Sequence, residues 1–72
     1  MSHIIPQLTS REKEVLYYIA YEYTNTQIAK KLEISSSTVD SHREKLYLKL
    51  DVKKSASAVR RAYELGLFPM EL

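Results

Sequence analysis

The stretch EISSSTVDSHREKLYLKL, Glu33 to Leu50, crowds hydroxyls, carboxylates, a histidine and three basic side chains into one short run. Such groups can catalyse, hold a metal, or hydrogen-bond a partner. The first two uses find little support. His42 has no cysteine, no second nearby histidine and no carboxylate at ligand spacing; the other histidine, His3, falls in the N-terminal lead-in. No nucleophile, base and orienting group form a set, and there is no glycine-rich phosphate loop. The residues therefore argue against an enzyme, a metal site and a cofactor, and they leave His42 a structural or phosphate-side role. The Ser35-Ser36-Ser37-Thr38 run is explained more cheaply by helix capping and backbone contact to a partner than by phosphorylation.

Those side chains need elements to hold them, and the spacing predicts four helices. Thr9-Ser10-Arg11-Glu12 fits a capping box, in which hydroxyl and carboxylate each satisfy an orphan backbone N–H. Val15, Leu16, Ile19, Ala20 and Tyr23 follow at one-face spacing. Thr24-Asn25-Thr26-Gln27 is a second capping box, with Tyr23 and Ile28 placed as a hydrophobic staple and Ile28, Ala29 and Leu32 on the buried side. Ser35 caps a third helix, to about Leu50, with Ile34 and Val39 in the staple relation. A fourth begins near Ser55 and runs to about Leu65, lined by Ala58, Val59, Ala62 and Leu65 and closed by Gly66, with Leu67 folding back on Ala62. No segment alternates with period two, so no sheet is expected. The second and third helices are separated only by Glu33 to Ser35, which are helix-turn-helix proportions.

Composition sets the outer bounds. The chain of 72 residues allows one small all-α domain, expected over 8–68 between a flexible lead-in (1–7) and a short tail (69–72). A core of that size leaves a stability of about 5 kcal/mol or less. The absence of cysteine excludes disulfides and thiolate zinc sites. No apolar run approaches a membrane span, and MSHIIPQ lacks the pattern of a signal peptide, so a cytoplasmic location is the default. A net charge of +2 permits nucleic-acid binding without arguing for it.

At this point the motifs resemble a known family. LTSREKEVL, TNTQIAKKL and ISSSTVDSHREKLYLKLDV are similar to the LuxR/GerE-type helix-turn-helix domain, the C-terminal effector domain of many bacterial response regulators. The resemblance runs from about Leu8 to Leu67. It implies a four-helix domain that binds double-stranded DNA as a homodimer, with the third helix in the major groove and the fourth supplying the dimer contact, here Val59, Arg60 and Tyr63. It also implies a receiver or sensor domain in a longer chain, and no small-molecule ligand in this one. The base-facing positions of the third helix fall on Asp40, Ser41 and Glu44; the usual phosphate contacts fall on Ser36, Ser37 and Thr38. Three common turn glycines of the family are Glu22, Glu33 and Asp51 here, which predicts tighter or strained turns. Asp40, Glu44 and Leu48 stand where basic residues are frequent, and Ser55 where an arginine is usual.

That acidic face has two readings. At ~100° per residue, Val39, Leu46 and Leu50 cluster within about 40° of one another, and Ser37, Asp40, Ser41, Glu44 and Leu48 lie opposite. As a solvated face it needs no function, and Asp40 can pair with Arg43 three residues on. As a reading face, a carboxylate accepts a hydrogen bond from cytosine N4 and penalises other bases. Affinity would then come from Lys45 and Lys49 on one flank, Arg43 on the other, Lys30 and Lys31 at the end of the second helix, and Lys53 and Lys54 in the following loop, because residues 35–50 carry only three basic and two acidic side chains. The alternative is a helix-turn-helix module kept for dimerisation or protein docking. Tyr17, Tyr18, Tyr21 and Tyr23 suit either the edge of a core or an interface.

Overall fold

The computed structural model describes residues 6–70. Residues 1–5, with His3 and most of the expected lead-in, and residues 71–72 of the tail lie outside that range. The described chain forms α1 (Ser10–Ala20), α2 (Asn25–Leu32), α3 (Ser36–Leu50) and α4 (Ser55–Glu64), with no strand among the described residues.

Each of the first three helices starts where its hydroxyl stands. Glu12 N–H donates to Thr9 Oγ1 at 3.1 Å while Thr9 N–H donates to Glu12 Oε1 at 2.8 Å. Thr24 and Gln27 repeat the exchange at 3.2 and 2.8 Å. Thr38 N–H donates to Ser35 Oγ at 3.1 Å. A cap of this kind stabilises its helix by about 1 kcal/mol. The helix α4 has no side-chain cap; Lys54 stands at its start.

The four helices also end alike. A residue with positive φ stops each one: Glu22 (62°), Glu33 (56°), Asp51 (57°) and Gly66 (75°). The next N–H then reaches back five residues to a carbonyl of the last turn: Tyr23 to Tyr18 (3.0 Å), Ile34 to Ala29 (3.0 Å), Val52 to Tyr47 (3.0 Å) and Leu67 to Ala62 (2.8 Å). This is the Schellman closure, whose apolar trailing residue folds back on the helix. Tyr23, Ile34, Val52 and Leu67 all pack against the core. The turns lacking glycine keep the glycine geometry, so the acids occupy backbone that an L-residue adopts at a cost.

The core joins Val15, Leu16 and Ile19 of α1, Ile28 and Ala29 of α2, Val39, Leu46 and Leu50 of α3, and Ala58 and Ala62 of α4, closed off by Leu8 and Phe68. Helix α3 is the common partner, packing against the other three. The packed body includes residues at both of its ends. Gln7 is tied to α3 through its carbonyl, and Met70 packs against the core.

The shared helix ends generate a stability prediction. A left-handed non-glycine residue costs about 1–2 kcal/mol, and an acid at a helix C-terminus adds a few tenths. Glycine returns about 0.5–1 kcal/mol of that through unfolded-chain entropy. Glu33→Gly and Asp51→Gly should each stabilise the domain by about 1 kcal/mol, raising the thermal midpoint by roughly 5 °C. Calorimetry or far-ultraviolet melting decides it, and lowered midpoints in both variants would mean that the acids make compensating contacts.

Candidate nucleic-acid interface

Helix α3 divides along its length. Val39, Leu46 and Leu50 are fully buried, while Ser37, Asp40, Ser41, Glu44 and Leu48 are exposed. Leu48 is 81% exposed, more than any core-packing role would leave it. No other part of the described chain covers this outward face. A helix of 15 residues is about 22 Å long and, with side chains, 10–12 Å across, which suits a major groove about 12 Å wide.

The N-terminal end of this face is built on hydroxyls. Ser35 Oγ lies 3.0 Å from Ser37 Oγ and 2.8 Å from Thr38 Oγ1. Ser41 Oγ donates to the Ser37 carbonyl at 3.2 Å, which leaves the hydroxyl oxygen able to accept. Ser36 and Ser37 are exposed and Thr38 is half-buried.

Asp40 and Arg43 do not pair directly, as their spacing suggested. Asn25, the first residue of α2, stands between them. Its Nδ2 donates to Asp40 Oδ1, and its Oδ1 accepts from Arg43 Nη1 at 3.0 Å. Arg43 Nη2 donates to Tyr47 Oη at 2.8 Å, and the guanidinium carbon lies 5.5 Å from the centre of the Tyr47 ring. Arg43, expected to meet phosphate, is thus half-buried and engaged within the domain. In the sequence Asn25 stands in a capping box and in the motif TNTQIAKKL, with nothing to mark its partners; the acid and base it bridges lie on another helix, 15 and 18 residues away.

Lys49 is similarly committed. Its Nζ donates to Glu12 Oε1 at 2.7 Å and to the Gln7 carbonyl at 2.9 Å. Glu12 is 3% exposed, so the cap of α1 is also a buried carboxylate holding the last turn of α3. Burial pushes its carboxyl up, but the Lys49 hydrogen bond, the Thr9 N–H and the Lys49 charge outweigh that and hold it below its ordinary value near 4.5. Lys49 therefore acts as a strut between α3 and the start of α1.

The other cations remain at the surface. Lys45 is exposed on the flank of α3 that faces α1, where it shares a shallow groove with His42, Leu48 and Thr9. Lys30 and Lys31 are exposed at the end of α2, and Lys53 and Lys54 in the turn after α3. On α4, Arg60 and Tyr63 are exposed and Val59 is half-buried, packed against the core. Tyr63 stacks at 5.0 Å on Phe68, and Arg60 Nε lies 3.4 Å from Glu64. The tyrosines form a ladder in which Tyr17 meets Tyr18 at 5.5 Å and Tyr21 at 4.8 Å, and Tyr18 meets Tyr23 at 4.9 Å. Among the described residues there is no cluster able to hold a metal, and no helix is long and apolar enough to cross a membrane.

Two tightly joined helices, the second presenting an uncovered polar face, match a family model over residues 6–62, that of the bacterial regulatory proteins of the luxR family. The chain belongs to the luxR family. A curated relative from Escherichia coli (strain K12), the uncharacterized response regulatory protein YgeK, is 41% identical over 61 residues, covering 85% of this chain and 42% of YgeK. The chain thus spans about two fifths of that relative's length. The transcription factor GerE superposes with a TM-score of 0.76 at 32% identity, covering 82% of this chain and 88% of GerE. VqmA of Vibrio cholerae, solved with ligand and DNA, superposes with a TM-score of 0.85 at 27% identity, covering 99% of this chain and 31% of VqmA. The all-α helix-turn-helix architecture expected from the motifs is the architecture of this luxR-family domain.

The Glu12–Lys49 strut can be tested through stability. Removing one partner of a buried pair strands the other; with Lys49 about one-third exposed, Lys49→Met should cost about 2 kcal/mol, below the range for fully buried pairs. Glu12→Gln should cost less, since its carbonyl still accepts the Thr9 N–H. Because Glu12 is held below its ordinary pKa, its contribution is fully present above about pH 4.5 and is lost as pH falls through the lower, folded value. Denaturant titrations from pH 7 to 3 should show a smaller acid-side loss for Glu12→Gln than for the wild type; identical slopes would remove Glu12 from the account.

Proposed function

We propose that this luxR-family domain binds duplex DNA in a sequence-specific way as the output module of a bacterial transcription regulator. The observation that carries the reading is the uncovered polar face of α3, held opposite a fully buried aliphatic edge and preceded by a three-residue turn. In this reading α3 lies in the major groove, with Asp40, Ser41 and Glu44 toward base edges. A carboxylate there accepts from cytosine N4 and repels wrong contacts. Ser36, Ser37, Thr38, Lys45, Lys30, Lys31, Lys53 and Lys54 meet phosphates and set the register of the helix. Arg43 and Lys49 contribute by holding α3 in place.

Two copies would meet through Val59, Arg60 and Tyr63 of α4 on a site of approximate two-fold symmetry, each multiplying the other's affinity through effective concentration. The response-regulator relative is more than twice as long as the stretch it shares with this chain, which fits a receiver domain that controls this pairing in a longer protein. In this reading the protein acts on chromosomal DNA, in the cytoplasm. The acids of α3 favour a second reading, a module for dimerisation or docking that has little affinity for DNA.

Salt separates the two. A DNA binder loses about 0.9 log units of affinity per log unit of salt for each phosphate met. Fluorescence anisotropy with duplex fragments from the protein's own promoter region should show a slope of several such contacts, reduced when Lys53 and Lys54 are both changed to Ala. Glu44→Lys should raise general affinity about fivefold to tenfold near 0.1 M salt, the size of one added phosphate contact, and relax base preference. Binding that is absent at low salt would favour the docking module.

A further inference from the structure

The amide of Asn25 sits between an acid and a base of α3 and keeps them apart. Asp40 and Arg43 are three residues apart on one helix, close enough to form an ion pair. Asn25 instead donates to Asp40 Oδ1 with Nδ2 and accepts from Arg43 Nη1 with Oδ1, and Arg43 is held from its other side by Tyr47. The order Tyr47, Arg43, Asn25, Asp40 is a chain of hydrogen bonds that spans α3 and the first turn of α2. Asn25 is itself fixed by the capping box of Thr24 and Gln27, which sets the start of α2. Asp40 Oδ1 is therefore occupied, while Oδ2 accepts no hydrogen bond among the described residues and the side chain stays exposed on the outward face.

We infer that Asn25 is the positioning residue for base recognition: it aims one oxygen of Asp40 at the groove as the acceptor for an exocyclic amine, that of cytosine N4 above all, and prevents Arg43 from neutralising that carboxylate. This rests on the proposed DNA binding and adds to it a residue outside the reading helix that sets its specificity. The chemistry follows from the donors. A carboxylate paired with the guanidinium has its lone pairs directed sideways along α3 and its charge offset. One hydrogen bond from a neutral amide orients the group and leaves the charge in place. A fixed acceptor discriminates between bases because a mismatch leaves it desolvated and unpaired.

The test uses this chain, low salt and a pool of duplex DNA with a randomised segment, sequenced after selection. The wild type should enrich a motif with cytosine at one fixed position, and Asp40→Ala should lose that preference. Asn25→Ala should weaken it about tenfold, the scale of one well-made base contact. Asn25→Asp should do the same while keeping the fold, because an acid in the first turn of a helix suits its dipole and still accepts from Arg43, yet has no N–H for Asp40. Melting curves of both variants accompany the selection, and the salt slope should stay at the wild-type value. Asn25 variants that keep the wild-type cytosine preference would overturn the assignment, as would Asp40→Ala leaving the motif intact. A wild-type chain that enriches no sequence would instead sink the DNA-binding reading itself.

Discussion

The seating of α3 by one narrow aliphatic edge is the constraint on which the domain depends. Val39, Leu46 and Leu50 are fully buried against residues of α1, α2 and α4, and each contributes about 1.5–3 kcal/mol through burial. In a domain whose net stability is only several kcal/mol, those three side chains decide whether a helix-turn-helix exists. They also decide what remains outside. A helix buried along one edge has the rest of its circumference free, and here that surface carries Ser37, Asp40, Ser41, Glu44 and Leu48.

Apolar burial fixes which edge is down but holds tilt and rotation only loosely. Two polar ties complete the job, one toward each end of α3. Near its C-terminus Lys49 grips Glu12 and the Gln7 carbonyl; nearer its N-terminus Arg43 and Asp40 grip Asn25. Both ties reach a residue at the start of another helix, Glu12 at the third position of α1 and Asn25 just after its N-cap. The capping signals therefore serve twice, since the turn that starts α1 or α2 also presents the group that orients α3. Two of the basic residues on α3 are used in this way, which leaves electrostatic attraction to the lysines of α2, Lys45 and the turn after α3.

Much of this was legible without coordinates. The three hydroxyl caps, the helix count, the Gly66 stop and the outward direction of Asp40 and Glu44 all follow from short-range rules, because capping and periodicity act within one or two turns. Glu22, Glu33 and Asp51 were recognised as replacements for glycine, and the structure keeps the left-handed backbone at all three. The Asn25 bridge, the burial of Glu12 and the packing of Phe68 and Met70 were not legible.

The sequence by itself determined where each helix starts and stops and which edge of α3 turns inward, because those choices depend on neighbours three to five residues away. Tertiary structure alone decided which charges are spent inside the domain and which remain for a partner. Glu12 finds Lys49 across 37 residues and Asn25 finds Arg43 across 18. Pairings of that range depend on how two helices cross, and a crossing is settled by the packing of the whole core, which no local pattern encodes.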